Sequence, residues 1–373
     1  MSYDVAVVGA GILGLAHALA AAKRGKRVVV LDRDARANGA SIRNFGFVTV
    51  TGQAAGDCWQ LARRSRDIWA EVAEAAGVEI LHRGLVVTAR RPEAEAVIDA
   101  FLATDMGADC FRLSAADAAD YLPFLNRQMV TAGLYSPQEL RVESKSALPR
   151  IAYWLERTWP VEFRWSTAVH RIEAPRLDTT SGPIEAETVI VCPGDDFSSL
   201  FADRLAAYDL TRCKLQMLRI KPERAIELCS AVMSDLGLAR YRGYAGLAEA
   251  RALIERLQDE QPLHRANGVH LIAVQSADGS LVVGDSHQYG QTLDPFLSHD
   301  VNSLILGELE AVLSFGAYQT AEQWCGTYAS ADGRWRLTDA PDDATRVVIV
   351  TAGCGASTAF AIGEETLSDL FGE

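Results

Sequence analysis

The sequence predicts an α/β fold, with a Rossmann-like nucleotide-binding unit at its start and a second, mixed or antiparallel sheet in its middle. Three observations carry this. Residues 3–32 read as strand, glycine turn, helix and strand, with an acid at the second strand's tip. Strand-like and helix-like segments alternate through most of the remaining chain. The tail repeats the order of strand, glycine turn and helix over residues 347–370.

The first unit opens with Tyr3-Asp4-Val5-Ala6-Val7-Val8, a short apolar run of the kind that forms a buried strand. Gly9-Ala10-Gly11-Ile12-Leu13-Gly14 follows at once. In such a turn the first glycine makes the tight bend. The second lets the backbone approach a pyrophosphate, and the third lets helix and strand pack closely. The Ala-rich stretch Leu15 to Arg24 continues as helix, and Gly25 ends it. Its N-terminus offers free N–H groups and a positive dipole end to phosphates. Arg27 to Asp32 forms the second buried strand. Asp32 lies about 20 residues beyond the glycines, where a carboxylate accepts ribose hydroxyls. A carboxylate there opposes the 2′-phosphate of NADP, but does not separate NAD from FAD.

At 373 residues the chain exceeds one small core and predicts two domains. No apolar run is long enough to span a bilayer. The first strand starts at residue 3, leaving no room for a signal peptide, so a cytoplasmic protein is expected. A net charge of −13 repels nucleic acid and anionic membranes, so neither is an expected partner. An anionic ligand would need a local cationic pocket. The seven cysteines are scattered and form no C-x-x-C pair, so neither a disulfide framework nor a metal site is expected.

Further along, helices are expected over Asp57–Ala76, Pro92–Met106, Ser114–Tyr121 with Ser114 as N-cap, and Ser144–Thr158. Others are expected over Leu247–Gln258, Val301–Leu313 and Thr358–Leu370. Strands are expected at Glu79–Ala89, Glu162–Ile172 and Glu187–Cys192, with a short extended piece beginning at Gly133. Arg212–Ile220, His270–Gln275 and Ser280–Gly284 read as strands of a different sheet. Arg346–Thr351 is a buried strand running into Gly353-Cys354-Gly355. Two cofactor-type turns, one at each end of the chain, favour an elongated cofactor spanning both. FAD fits that better than NAD.

On these motifs the chain resembles the FAD-dependent D-amino-acid oxidase superfamily, in particular its glycine oxidase and monomeric sarcosine oxidase branch. The matching residues are Gly9, Gly11, Ile12 and Gly14, then Asp32-Arg33. Gly39-Ala40-Ser41 with Asn44 and Gly46 resembles the loop that runs under the flavin. Val189 to Gly194 matches a strand ending in glycine, and Val169 falls at an adenine-side backbone contact. Gly353, Gly355, Ala356, Ser357 and Thr358, before the last helix, complete the set. The resemblance implies an FAD-binding domain of residues 1–80, 141–211 and 326–373. Interleaved with it is an α+β substrate domain of residues 81–140 and 212–325. Substrate would lie between the flavin and the second sheet.

The run Leu281 to Pro295 resembles the sarcosine-oxidase segment of Gly, His, aromatic, Gly-Gln and Asp-Pro, with one extra residue before the histidine. That places His287 at the family's active-site histidine; read alone it is a loop or core histidine. Three departures matter. Amino-acid-oxidising members carry W-x-G-x-R, whose Arg grips a carboxylate, and here Tyr328 stands in the Arg position. Gly326 fills the position of the Cys that links to FAD in sarcosine oxidases, and Cys325 is one residue early, so non-covalent FAD is expected. Val282 replaces a flavin-facing Lys that helps oxygen react, which leaves O2 or an electron carrier as acceptor, oxidase first.

The implied chemistry is oxidation of a C–N bond. A neutral small amine gives hydride from its α-carbon, and the imine hydrolyses. His287 or a tyrosine such as Tyr241 could tune the proton step. With the usual Arg missing, the candidates for holding an anionic substrate are Arg43, Arg242 and Lys214. Tyr241, Tyr244 and Tyr289 read equally as core aromatics. The Gly-Asp-Ser-His-x-Tyr-Gly run and the missing Arg also resemble a branch associated with aminophosphonate breakdown. Its implied substrates are 2-aminoethylphosphonate or the N-methyl form. The alternatives are a glycine- or sarcosine-type oxidase and a flavin amine dehydrogenase.

Overall fold

The computed structural model describes residues 2–372. Five strands lie parallel in the order Thr345–Val350, Ile184–Val191, Tyr3–Val8, Val28–Leu31 and Val161–Arg164. Their central members are covered on both faces, which is why they read as unbroken apolar runs. Arg336–Asp342 adds an antiparallel edge beside Thr345–Val350. The expected single strand at Glu162–Ile172 is two strands, Val161–Arg164 and Val169–Glu173. Between them Ser166 takes φ of 53°, which ends the first strand.

Helix Gly355–Phe371 packs on both Ile12–Lys23 and Asp57–Ala76. A Cβ at Gly363 would lie 2.9 Å from the Ala16 backbone, so glycine sets how closely the first pair approaches. Trp69 meets Phe360 edge-on at 5.1 Å and donates its Nε1–H to the Ala356 carbonyl at 2.7 Å. That bond pins the first turn of the last helix.

The second sheet is mixed. Its strand Thr211–Pro222 pairs antiparallel with Tyr318–Ser330, and on its other side with Leu281–Gly284 and Gln288–Gly290. The sheet continues through Ile272–Gln275, Ala231–Met233, Ile80–Ala89, Ala132–Val142 and Phe47–Val48. Ala231–Met233 runs parallel to Ile80–Ala89. The extended piece expected at Gly133 is an 11-residue strand. The 13-residue strand Tyr318–Ser330 escapes sequence reading because its first half, Gln319 to Gln323, is polar and exposed. Phe47–Val48 lies within residues 1–80 yet joins this sheet. The Pro92 helix stops at Leu102, and a separate 3₁₀ turn covers Asp105–Gly107. Ser114 caps Ala115–Tyr121 through a reciprocal bond with Asp117. Among the described residues, no helix is long and apolar enough to cross a membrane.

Candidate active site

A cavity of about 420 Å³ extends from the Gly11–Gly14 turn to the second sheet. Its floor is built by glycines that admit no side chain. Gly9 takes φ of 104°, and a Cβ there would meet the Cys192 carbonyl. A Cβ on Gly14 would meet the Gly9 carbonyl. Gly11 sits at the N-cap of Ile12–Lys23 and Cys354 at that of Gly355–Phe371, and neither caps with its side chain. Both helix N-termini therefore open onto one cavity with no N-cap side chain over them, an arrangement suited to a pyrophosphate. The Ser41 hydroxyl accepts from the Ile12 N–H at 3.0 Å, drawing the flavin-type loop onto the first turn. Asn44 donates to the Ala40 carbonyl and accepts from Gly46 N–H, both at 2.7 Å, so its amide shapes that loop. Asp32 accepts from the Ala10 and Asp34 N–H groups at 2.7 and 2.9 Å, which holds it beside the turn.

These features fit FAD. Gly11, Ile12, Gly14, Ala40, Ser41, Asn44, Gly194, Gly353, Gly355, Ala356 and Ser357 line the wall. Gly9, Asp32, Arg33, Val169 and Thr358 do not. Gly9 underlies the turn. Arg33 pairs with Asp196 at 2.7 Å on the surface. Thr358 spends its hydroxyl on the Cys354 carbonyl at 2.9 Å.

At the other end stand Arg43, Arg240, Tyr241, Arg242, His270, Asp285, His287, Tyr289 and Tyr328. Tyr328 lies against Gly353, where a Cβ would come within 3.1 Å of its ring. It therefore joins the second glycine turn to this end of the cavity. Gly326 lines the wall and Cys325 does not, as expected of neighbours on a strand. Lys214 is not on the wall; it is held by Asp294 and the Phe296 carbonyl. Arg43, Arg240 and Arg242 have no acidic partner within ion-pair distance among the described residues. Arg240 was not legible as a candidate from sequence. Its Nη2 donates to the Tyr289 hydroxyl at 2.9 Å.

Two more residues appear only in three dimensions. Backbone bonds in both directions join His270 and Asp285, at 3.1 and 2.9 Å. Their side chains lie together, with His270 Nδ1 3.1 Å from Asp285 Oδ1, yet out of line for a hydrogen bond. Both His270 ring nitrogens and Asp285 Oδ1 are buried without partners. His287 Nδ1 lies 2.9 Å from the Gly268 carbonyl. A carbonyl only accepts, so this nitrogen carries the proton and Nε2 presents a lone pair. That lone pair faces Asp285 Oδ2 at 3.8 Å. Burial pushes the Asp285 carboxyl up to about 7 against the pull of Arg240. Burial, helped by Arg240, drives His270 and His287 well below the usual histidine range, so both are neutral. Burial also raises the Tyr241 and Tyr328 phenols, which stay protonated. One atom from each of His270, Asp285 and His287 converges within 4.8 Å. That spacing would suit a metal ion, but the Arg240 charge opposes a bare cation there.

A model of the FAD dependent oxidoreductase family matches residues 4–368. Glycine oxidase of Geobacillus kaustophilus (strain HTA426) is 26% identical over 206 residues, covering 52% of this chain and 54% of that protein. The aligned part thus spans about half the length of that curated relative. The structure of glycine oxidase from Bacillus cereus ATCC 14579 superposes with a TM-score of 0.79 at 17% identity, covering 99% of this chain and 95% of that one. L-proline dehydrogenase from P. horikoshii gives 0.80 at 16% identity, covering 100% and 94%. The two mixed sheets, the paired glycine turns and the nearly full-length family match lead to one assignment: the chain belongs to the FAD dependent oxidoreductase family.

Proposed function

We propose that this chain oxidises the C–N bond of a small amine that carries an anionic group, with 2-aminoethylphosphonate or its N-methyl form as the favoured substrate. The imine formed hydrolyses to an aldehyde. The carrying observation is Arg240, a cavity guanidinium with no carboxylate of its own. Arg43 and Arg242 on the same wall add two further cations. A phosphonate has three oxygens and more charge than a carboxylate, and so suits several guanidinia better than one. FAD, when bound, supplies the two-electron acceptor. The chain's part is to hold the anion at Arg240, to fix the amine and to keep water out. Tyr328, neutral and placed where relatives are expected to carry Arg, offers a hydrogen bond in place of a charge.

The test is anaerobic flavin reduction by 2-aminoethylphosphonate, its N-methyl form, glycine and sarcosine side by side. Preference for the two phosphonates supports the reading. Much faster reduction by glycine or sarcosine supports the amino-acid alternative. A second reading concerns the acceptor. Val282 is buried, and no lysine lines the cavity among the described residues, which favours a carrier over O2. Brisk peroxide release in turnover would remove that reading.

A further inference from the structure

We propose that Asp285, His270 and His287 form a docking site for the substrate's ammonium group, and that Asp285 takes its proton before the α C–H bond breaks. This rests on the anionic-amine reading above.

The cluster has more acceptors than donors. His287 Nε2 is a bare acceptor, Asp285 Oδ1 has no partner, and neutral His270 carries one N–H with no acceptor in line and one bare acceptor nitrogen. Buried acceptors facing one another, as His287 Nε2 and Asp285 Oδ2 do at 3.8 Å, are costly unless a hydrogen lies between them. An alkylammonium brings two or three N–H donors. Acceptors within 4.8 Å of one another can share one nitrogen at ordinary hydrogen-bond lengths. The charges also match end to end. Asp285 meets the ammonium while Arg240 meets the anion, so the filled cavity balances. A bare divalent cation would instead add charge beside a guanidinium.

The proton step is simple. An N–H bond of the ammonium breaks, its electron pair stays on nitrogen, and the carboxylate becomes a carboxylic acid. The lone pair so released makes the α C–H a hydride donor. The burial that makes Asp285 basic also makes a desolvated ammonium more acidic, so the two affinities move together. The groups facing Asp285 are Arg240, Tyr241, His270, His287 and Cys213 from strand Thr211–Pro222. The Cys213 thiol is pushed up to about 11, the tyrosine upward and the histidines downward. Asp285 is therefore the member of the set that titrates near neutrality.

The experiment uses FAD-loaded wild type and Asp285→Asn, each checked for folding and flavin content by its absorbance spectrum. Anaerobic reduction by limiting 2-aminoethylphosphonate is followed across pH, and binding of ethylphosphonate, the anion without the nitrogen, is measured by calorimetry. The wild-type rate constant is expected to rise through a pH near 7 and then level. In Asp285→Asn that limb disappears, and the rate rises only toward the amine's own pKa, about 10. At pH 8 the variant should be slower by about two orders of magnitude. Ethylphosphonate should bind both proteins alike. An unchanged pH profile in Asp285→Asn overturns the proposal, as does a parallel loss of ethylphosphonate binding in that variant. If ethylphosphonate binds neither protein, the Arg240 reading falls and the proposal falls with it. Uptake of one equivalent of zinc, with reduction abolished by a chelator, would also overturn it.

Discussion

Arg240 donates to the Tyr289 hydroxyl at 2.9 Å, and this is its one side-chain hydrogen bond among the described residues. Tyr289 itself is 55% exposed, so the bond sits at the cavity's wet edge. Tyr289→Phe should loosen the guanidinium without removing it. KM for 2-aminoethylphosphonate should rise about threefold with kcat unchanged, since an exposed charged hydrogen bond is worth under about 1 kcal/mol. Steady-state kinetics checks this. A fall in kcat at constant KM would mean that Tyr289 acts on the chemistry and not on the anion.

Cys325 lies off the cavity wall while Gly326 lies on it. Acid precipitation should therefore leave the FAD in the supernatant, and Cys325→Ser should hold as much flavin as wild type. Flavin fluorescence that stays with the polypeptide on a denaturing gel would contradict this placement.

His17 is fully buried, with Nδ1 bonded to the Leu13 carbonyl at 2.7 Å and Nε2 unpaired. Burial lowers it to about 4. A histidine held neutral in the fold but free to charge when unfolded stabilises above its unfolded value of about 6.5. That contribution fades as pH falls toward about 4. His17→Gln should be less stable than wild type at pH 8. The gap should narrow by about 3 kcal/mol between pH 7 and 4. Denaturant unfolding at a series of pH values checks this; a constant gap would contradict it.

The cofactor half of the molecule was legible because its chemistry is local. Gly9, Gly11 and Gly14 do their work within six residues of chain, and Ser41 and Asn44 lie in one short loop. Arg43, Arg242, Tyr241, His287 and Tyr328, all named from sequence, line one cavity. Arg240 was missed because what sets it apart is the lack of an acid within ion-pair distance, and sequence does not show that. Asp285 stood in view two residues before His287. Nothing marked it until the pairing of Ile272–Gln275 with Leu281–Gly284 brought His270 beside it. That register joins residues 15 apart, and short apolar strands do not reveal it. Arg33 and Thr358 failed to reach the wall for an ordinary reason: each has a nearer partner.

The most direct measurement is an anaerobic titration of wild type and Arg240→Met with 2-aminoethylphosphonate and with ethylamine, following the visible flavin absorbance. Wild type should bleach with 2-aminoethylphosphonate. Arg240→Met should need roughly 30-fold more of it, as expected for loss of a charge-assisted contact of about 2 kcal/mol. Its weak response to ethylamine, which has no anion, should be unchanged. A wild-type flavin that 2-aminoethylphosphonate leaves oxidised, or an Arg240→Met protein that titrates like wild type, would contradict the account.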